Sequence, residues 1–356
     1  MSRSGSTSVQ YGTDIAEADT VRWMRQESVM RVSVRVVSAL VAIGLSPPIL
    51  AQQGNHARVI WHDRGELASL DLVGGPGGKD HEPGHELRFI GESPDGTSPK
   101  FEVEDEQGTK WKVKLGEEAR SETAATRLLW AAGYVVDEDY YRPEITVRGL
   151  TALARGQEFV SLGGIVMGAR LERERERGSS ATWSWYDNPF IGTREFNGLR
   201  VMMALINNWD LKDVNNRVFD TAGRDEYGIT DLGATFGRTG NSITRSKGVP
   251  KDYVDTRFID DVTPTHVDFV MQSRPFFPLV LHLPSYRSRT KMESIVKHVP
   301  IADARWIGGR LGQLSPEQIR DCFRAAGFSA DEVEMYAQVL FERIAALTKL
   351  HPASRD

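Results

Sequence analysis

One short stretch of sequence constrains the fold of this chain more than any other. Asp210, Lys212 and Asn215 follow the pattern Asp-x-Lys-x-x-Asn, and Asp231 comes after two short apolar runs separated by a turn. Phosphoryl transfer needs an Asp that orients the attacking hydroxyl, a cation that offsets phosphate charge, an Asn that holds a metal ion and a second Asp that bridges metal and phosphates. The order of these four residues therefore predicts a loop followed by a hairpin, with Mg²⁺ held between Asn215 and Asp231.

These residues resemble the catalytic and metal-binding loops of the protein-kinase-like superfamily, whose signatures are His-Arg-Asp-Leu-x-x-x-Asn and Asp-Phe-Gly. Asn208 and Trp209 stand in place of the His-Arg pair, and Leu232 replaces the Phe. The chain is therefore more similar to atypical members, the HipA-type kinases and the phosphoinositide-kinase-like proteins. The resemblance implies ATP and Mg²⁺ as cofactors and an α+β, two-lobed fold. Its small N-terminal lobe would be β-rich with one helix, and its larger C-terminal lobe mainly helical.

A β-hairpin is predicted upstream of this motif. Residues 101–105 and 111–115 alternate apolar and polar side chains on either side of the turn 106–109. In the family that the chain resembles, a lysine on such a strand reaches the nucleotide phosphates. We expect Lys114 in this role because it lies at the strand end, next to the following helix, and Lys112 is the alternative.

Residues 117–132 are predicted to form a helix that ends at Gly133. Glu122 falls on a stripe of this helix that is otherwise largely apolar. A carboxylate in such a position costs free energy unless it is paired with a cation. We therefore expect Glu122 to pair with Lys114, as the helix glutamate of kinases does, with Glu118 as the alternative partner.

Two glycine-containing segments are candidates for a phosphate-binding loop. The cluster at 72–78 lacks the Gly-x-Gly-x-x-Gly spacing, so it is interpreted as turn structure. Residues 91–100 lie just before the predicted strand pair. By resemblance to a Ser/Gly-x-x-Pro-Lys stretch in HipA-type kinases, Ser98 and Lys100 are candidate nucleotide contacts.

Further elements follow from periodicity and charge. Strands are predicted within 140–150 and 157–171, and the run 170–178, which alternates Arg and Glu, is interpreted as a solvated connector. Gly233 and Gly237 are expected to give the metal-binding loop the turn freedom of glycine.

Amphipathic helices are predicted for the second half of the chain. They cover residues 193–207, a segment from Ser315 to Gly327 and a last segment 329–350. The helix 193–207 delivers the chain into the motif at Asp210, and the two later helices are interpreted as the structural base of the larger lobe.

The beginning of the chain has the features of a secretory signal peptide. A basic segment precedes the apolar run 36–45, and a Pro-containing break and a small residue follow it. We expect translation to begin at Met30 or Met24, cleavage near Ala51, and export to the periplasm or the extracellular space. The apolar run is short for a membrane span, so no stable span is expected after cleavage.

Composition sets the remaining limits. The chain has 356 residues, of which 40% are hydrophobic and 26% charged, so a sizeable folded core is expected. Its net charge of -5 provides no basic footprint for nucleic acid. Cys322 is the only cysteine, which excludes an intrachain disulfide. We divide the chain into an upstream extension with the signal peptide (1–51), an N-terminal nucleotide-binding lobe (52–171) and a C-terminal catalytic lobe (172–356).

These features favour an exported phosphotransferase that uses Mg²⁺ and ATP. Asp210 and Lys212 would be catalytic, the acceptor would be a hydroxyl of an unknown protein or small molecule, and Asp213 is the alternative to Asp210. Two other functions stay open. One is transfer of a nucleotidyl group to a protein, with ATP bound in the flipped orientation. The other is a secreted pseudokinase or cell-envelope binding protein without catalytic activity.

Overall fold

The computed structural model describes most of the chain after its first 55 residues. The described ranges are 56–94, 96, 98–175, 179–239, 245–271 and 283–351. The predicted signal peptide, with Met24, Met30 and Ala51, therefore lies outside the described residues. Within these ranges, no helix combines the length and the apolar character that crossing a bilayer requires. Residues Gly54–Asp356 form one compact unit of mixed α and β structure.

Fourteen strands and seven α-helices are found among the described residues. The strands are β1 (Ala57–Val59), β2 (Leu87–Ser93), β3 (Lys100–Glu104), β4 (Lys110–Lys114), β5 (Val135–Val136), β6 (Asp139–Arg148), β7 (Val160–Ser161), β8 (Ile165–Arg173), β9 (Ser179–Ala181), β10 (Asn216–Thr221), β11 (Arg224–Ile229), β12 (Ile259–Val262), β13 (His266–Phe269) and β14 (Val299–Pro300). The helices are α1 (Glu117–Ala132), α2 (Arg194–Leu205), α3 (Pro250–Val254), α4 (Leu283–Ser294), α5 (Ile301–Leu311), α6 (Pro316–Arg324) and α7 (Ala330–Thr348).

A six-stranded sheet holds the first part of the site. Its strand order is β4-β3-β2-β6-β8-β7, and β4 also pairs with β8. The predicted hairpin is confirmed, because β3 and β4 are antiparallel with Lys100 opposite Lys114. Strand alternation buries Phe101, Val103, Trp111 and Val113 in the core of this sheet. The polar ends of the two strands are thereby brought to the same place.

Helix α1 follows β4 directly, over the predicted range. Its end is fixed by Gly133, which has a φ of 108° and whose N–H donates to the carbonyls of Leu129 and Trp130. This left-handed end is accessible to glycine at low cost. The helix packs against β5, β6 and β8 as well as against α6, so its position is tied to both parts of the core.

A second sheet carries the predicted hairpin after the motif. Strands β10 and β11 are antiparallel, with Asn216 opposite Ile229, and β1 and β5 pair parallel with β11. A three-stranded sheet has the order β12-β13-β14. The short turn between β10 and β11 returns the chain to its starting point, so residues just before β10 and just after β11 become neighbours.

The helices of the second half bury a large apolar cluster. Helix α2 begins at Thr193, whose side chain accepts a hydrogen bond from the N–H of Phe196. Ser315 and Ser329 each form a capping box at the start of α6 and α7. The amphipathic pattern of the last helix is confirmed, because its apolar residues Val333, Tyr336, Leu340, Ile344 and Leu347 are all buried. Helix α6 ends at Arg324, slightly before the predicted Gly327.

The interpretation of residues 170–178 as a solvated connector is wrong for its first part. Strand β8 continues to Arg173, and the side chain of Arg170 is only 1% exposed. It makes ion pairs with Asp139, Glu122 and Glu172. Alternation along the strand places Arg170 and Glu172 on one face, opposite Lys114 and Lys112 of β4. The charge of Arg170 is therefore balanced by carboxylates inside the protein instead of facing water.

Candidate functional site

The centre of the site is the ammonium group of Lys114. Its Nζ lies 2.6 Å from Oε2 of Glu122, 3.3 Å from Oε2 of Glu118 and 2.8 Å from Oδ1 of Asp231. The Lys114 side chain is 5% exposed. Strand β4 delivers the lysine, and the first turns of α1 deliver both glutamates. Since a buried cation is costly unless it is paired, this arrangement of charges is a strong local constraint.

Electrostatics favour the charged forms of Lys114 and Asp231. Burial opposes the charge on Lys114, but Glu122, Asp231 and Glu118 together raise its pKa above the ordinary value. Burial would also raise the pKa of Asp231, yet the ammonium of Lys114 outweighs this effect and lowers that pKa to about 2. The charge of Lys100 contributes in the same direction. Asp231 is therefore ionised at any physiological pH.

The structure distinguishes between the two candidate lysines of β4. Lys112 is 52% exposed, and its Nζ lies 4.0 Å from Oε1 of Glu172. Lys114 is enclosed, although the two residues share one face of the strand by alternation. The reason is that the face is covered by α1 only at the end of the strand, where Lys114 lies.

The Asp210 loop forms the second part of the site. Nζ of Lys212 lies 2.8 Å from Oδ1 of Asp210. The side-chain amide of Asn215 donates to the backbone carbonyl of Asp210 at 2.9 Å and lies 3.4 Å from its Oδ2. Asp213, the alternative to Asp210, is used differently, because its Oδ1 accepts the backbone N–H of Trp185 at 3.1 Å.

Asn215 and Asp231 are brought together by the β10–β11 hairpin. The N–H and the hydroxyl of Thr230 both donate to the carbonyl of Asn215, at 2.9 and 3.0 Å. Asp231 follows with a φ of 53°, and the next N–H, of Leu232, donates to Oε1 of Glu122 at 3.1 Å. The left-handed conformation of Asp231 is uncommon for a residue with a side chain, and it lies where the chain turns toward Lys114.

The glycines of the predicted metal-binding loop have a different role from the one expected. Gly233 and Gly237 do not have positive φ values, whereas Asp231 and Phe236 do. A Cβ on Gly233 would lie 2.6 Å from Cβ of Glu118, and one on Gly237 would lie 2.3 Å from the carbonyl oxygen of Ser246. These positions therefore require glycine for close approach of the chain and not for turn freedom.

A cavity of about 770 Å³ lies beside these groups. Among the described residues its lining includes Lys100, Lys114, Asn215 and Asp231, whereas Ser98 is not part of it. Lys100 thus lies where its cation faces Asp231, as its effect on the pKa of that residue also indicates. Of Ser98 and Lys100, the two nucleotide contacts predicted for this loop, the structure brings Lys100 to the site.

The lining of the cavity also includes charged residues that the sequence did not identify. The guanidinium carbon of Arg175 lies 3.7 Å from the centre of the Phe219 ring, and its Nε lies 3.5 Å from Oδ1 of Asp137. Burial, together with the charge of Glu172, raises the pKa of Asp137 to about 7. These residues line the cavity and add charged and aromatic groups to its wall.

A buried ionic network supports Glu122 from behind. Arg170 lies 3.4 Å from Oε1 of Glu122 and 2.8 Å from Oδ2 of Asp139. Arg127 of α1 lies 2.9 Å from the other oxygen of Asp139. The alternation of side chains along β8 could have indicated that Arg170 faces inward. Its partners could not be predicted, because they depend on the pairing of β8 with β4 and β6.

The donor atoms of the site fit a divalent cation. The amide oxygen of Asn215 and the carboxylate of Asp231 are hard oxygen ligands on neighbouring turns, the type that Mg²⁺ and Ca²⁺ prefer. Glu118, Glu122 and Asp231 also offer oxygens within 4.8 Å of one another. This second group already surrounds the ammonium of Lys114, which balances its charge. The oxygen ligands left for a metal are therefore the side-chain amide oxygen of Asn215 and Oδ2 of Asp231, since Oδ1 of Asp231 is paired with Lys114.

Comparison with known proteins gives structural similarities only. No protein-family model matches the sequence, and no curated protein matches it significantly. The chain is similar to the structure of the proinflammatory kinase CtkA of Helicobacter pylori, with 12% identity, 75% of this chain and 97% of that chain covered, and a TM-score of 0.44. It is similar to the Golgi casein kinase, with 9% identity, coverage of 75% and 72%, and a TM-score of 0.34. It is also similar to the amicoumacin kinase hAmiN in complex with AMP-PNP, Ca²⁺ and Ami, with 12% identity, coverage of 74% and 90%, and a TM-score of 0.22.

Proposed function

We propose that this protein is a kinase-like phosphotransferase that uses a divalent metal, preferably Mg²⁺, and ATP. The observation that carries the proposal is the shared ammonium of Lys114, held at 2.6 Å by Glu122 and at 2.8 Å by Asp231. A lysine fixed by a helix carboxylate and next to a metal-loop Asp is the arrangement that positions nucleotide phosphates in this chemistry. The cavity beside it has room for a nucleotide.

The nucleotide would lie with its phosphates at Lys114 and Lys100. Glu122 keeps the ammonium of Lys114 fixed, so its charge is oriented before the substrate arrives. Asn215 and Asp231 would hold the metal ion. When bound, a divalent cation would offset the negative charge that develops on the phosphate groups. The protein thus contributes positioning and electrostatic stabilisation, the main sources of rate in such a reaction.

Asp210 would orient the acceptor hydroxyl and take its proton. The oxygen of that hydroxyl forms a bond to the γ-phosphorus while the bond from that phosphorus to the β–γ bridging oxygen breaks, and ADP leaves. Lys212, 2.8 Å from Asp210, would stabilise the transferred charge. Asn215 supports the loop through its hydrogen bond to the Asp210 carbonyl. One short turn thus provides both a proton acceptor, Asp210, and a cation, Lys212.

We also propose that the chain has the two-lobed kinase-like arrangement and is exported. Support for two lobes comes from two separate buried clusters, one within the six-stranded sheet and one involving the helices. Support for export comes from the basic, apolar and Pro-containing pattern of the first 51 residues. Determination of the mature N-terminus by mass spectrometry after secretion tests this part, and a mature chain that keeps residues 30–51 would contradict it.

Two labelled nucleotides test the reaction. The full chain is incubated with ATP labelled in the γ-phosphate and, separately, in the α-phosphate, with Mg²⁺ and a cell extract as the source of acceptors. Transfer of the γ label alone supports the phosphotransferase, whereas transfer of the α label supports nucleotidyl transfer. Asp210→Ala serves as the inactive control. Absence of both labels, with no stabilisation of the protein by any nucleotide, would favour a binding protein.

A further inference from the structure

Asp137 is a buried residue whose carboxyl group has no role in the proposed transfer reaction. The residue is 5% exposed, and it lies between β5 and β6 in the wall of the cavity of about 770 Å³. Among the described residues, no N–H or O–H group donates a hydrogen bond to its side chain. A buried carboxyl group without a hydrogen bond costs free energy. This one borders space that a ligand can fill.

The nearby cation, Arg175, is held mainly by other groups. Its Nη2 donates to the carbonyl of Val136 at 2.7 Å, and its guanidinium carbon lies 3.7 Å from the centre of the Phe219 ring. Its Nε lies 3.5 Å from Oδ1 of Asp137, which is longer than the usual N–H···O distance of about 2.7–3.2 Å. Arg175 therefore balances part of the charge of Asp137, but it leaves the oxygens of that residue free to accept a hydrogen bond.

Asp137 can accept a hydrogen bond in either protonation state. Burial, together with the charge of Glu172, raises the pKa of Asp137 to about 7, so both states are present near neutral pH. The ionised carboxylate accepts at two oxygens, and the protonated group still accepts at its carbonyl oxygen. The carboxyl group is therefore suited to an N–H donor of a ligand over the whole neutral pH range.

Strand pairing gives the order of the groups along the cavity. Asp139 of β6 and Lys112 of β4 both lie opposite Glu172, two positions along β8 from the residue that faces Lys114. Asp137 precedes Asp139 in the chain, so it lies beyond the level of Lys112, on the side away from Lys114. A nucleotide with its phosphates at Lys114 and the rest of its length in the cavity would therefore bring its base toward Asp137.

We propose that Asp137 selects the donor nucleotide by accepting a hydrogen bond from the 6-amino group of adenine. The inference rests on the proposed phosphotransferase function and adds a specificity-determining residue for its nucleotide. A hydrogen bond to an ionised carboxylate is stronger than one between neutral groups. A purine without an amino group leaves the buried carboxyl group of Asp137 without a donor, so such a nucleotide binds less tightly.

Two nucleotides that differ only at this amino group test the contact without catalysis. Purine riboside 5′-triphosphate has a hydrogen atom where ATP has the 6-amino group. Each is titrated with Mg²⁺ into the full chain, and thermal unfolding gives its apparent Kd. For the wild-type protein we expect the Kd of purine riboside triphosphate to be at least about tenfold higher than that of ATP, the effect of losing one hydrogen bond to a charged group. Equal Kd values would overturn the inference.

Asp137→Leu removes the acceptor and keeps a side chain of similar length. This variant should bind both triphosphates with the Kd that the wild-type protein has for purine riboside triphosphate. Glu138→Gln is the matched control, because it removes a carboxylate at the next position, outside the lining of this cavity, and it should keep the preference for ATP. If Asp137→Leu binds both triphosphates more weakly and still prefers ATP, Asp137 has only a structural role, and the inference is overturned.

Transfer of the terminal phosphate separates this inference from the proposed function. Both triphosphates, labelled in the γ-phosphate, are used at one concentration below their Kd values, with a cell extract as the source of acceptors. Equal transfer from both, unaffected by Asp137→Leu, would overturn the contact with the base and leave the phosphotransferase standing. A preference for ATP in binding that depends on Asp137, without transfer from either compound, would support the contact and contradict the phosphotransferase.

Discussion

The ammonium nitrogen of Lys114 lies 2.8 Å from Oδ1 of Asp231, although 117 positions separate the two residues in the chain. Oε2 of Glu122 approaches the same nitrogen to 2.6 Å. One buried cation therefore joins the end of β4, the first turns of α1 and the loop after β11. Any molecule that binds at this point acts on all three elements together.

The stability of this cluster leads to the first prediction. Lys114→Met leaves Glu122 and its neighbours without a central cation, so we expect the free energy of unfolding in urea to fall by about 3–5 kcal/mol. The double variant Lys114→Met/Glu122→Leu should lose less than the sum of its single variants, because they disturb the same pair. Lys112→Met is the control and should change stability by less than about 0.5 kcal/mol. Equal stability losses at Lys112 and Lys114 would contradict the cluster.

The second prediction separates two neighbouring aspartates. Under the proposed function, Asp210→Ala should lower the rate of phosphoryl transfer about 10²- to 10⁴-fold, because it removes the group proposed to orient and deprotonate the acceptor. Asp213→Asn keeps a side-chain oxygen for the N–H of Trp185, so it should retain most of the activity. Initial rates with γ-labelled ATP measure both. A larger loss at Asp213 would transfer the proposed role to that residue.

Much of the site could be predicted because its signals are local. Alternation gave the β3–β4 hairpin, and the carboxylate on the stripe of α1 indicated that Glu122 needs a cation, whereas Lys114 as that cation was implied by the resemblance to kinases. The β10–β11 hairpin follows from two apolar runs and a turn, and it explains why Asn215 and Asp231 meet. Each of these inferences needs only a few adjacent residues and a regular period.

The remainder depends on contacts between distant parts of the chain. Arg170 looked like part of an exposed charged run, and only the pairing of β8 with both β4 and β6 shows that its partners include Asp139. The need for glycine at Gly233 arises from the close approach of Glu118, more than one hundred positions earlier. The composition of the chain and the periodicity of its apolar residues contain no information about contacts between such distant residues. They require the packed structure.

The third prediction concerns the metal. Asp231→Asn removes one negative oxygen from the proposed metal site, so the stabilisation by ATP with Mg²⁺ should fall to that given by ATP with a chelator. The wild-type protein should show a clear difference between the two conditions in thermal unfolding. Asp225→Asn, on the neighbouring hairpin, is the control and should keep this difference. A metal-dependent response that persists in Asp231→Asn would place the metal elsewhere.

The fourth prediction tests the close approach at the metal-binding loop. Gly233→Ala places a Cβ 2.6 Å from Cβ of Glu118, so the chain must shift, and we expect a loss of about 1–3 kcal/mol in stability. Gly309→Ala is the contrasting control. Gly309 lies within α5 with open space around the site of a Cβ, and the change should stabilise the helix by about 0.5–1 kcal/mol. Urea unfolding measures both, and equal effects would contradict the packing explanation.

The last prediction is a pH dependence caused by Asp137. Its pKa is raised to about 7 by burial, from an ordinary value of 3.8. Between these two values the folded protein binds more protons than the unfolded chain, so the carboxyl group lowers the free energy of unfolding as the pH rises from about 4 to about 7. Above pH 7 its effect is constant. Asp137→Asn lacks this titration.

The difference in stability between the two proteins therefore isolates the group. The variant should gain stability relative to the wild type as the pH rises from 5 to 8, by less than about 4 kcal/mol, the limit set by this shift in pKa. Arg175, 3.5 Å from Asp137, reduces the gain because it favours the ionised form. Urea unfolding at several pH values measures the difference. If the two stability curves run parallel across this range, Asp137 is ionised throughout it in the folded protein, and its pKa is not raised.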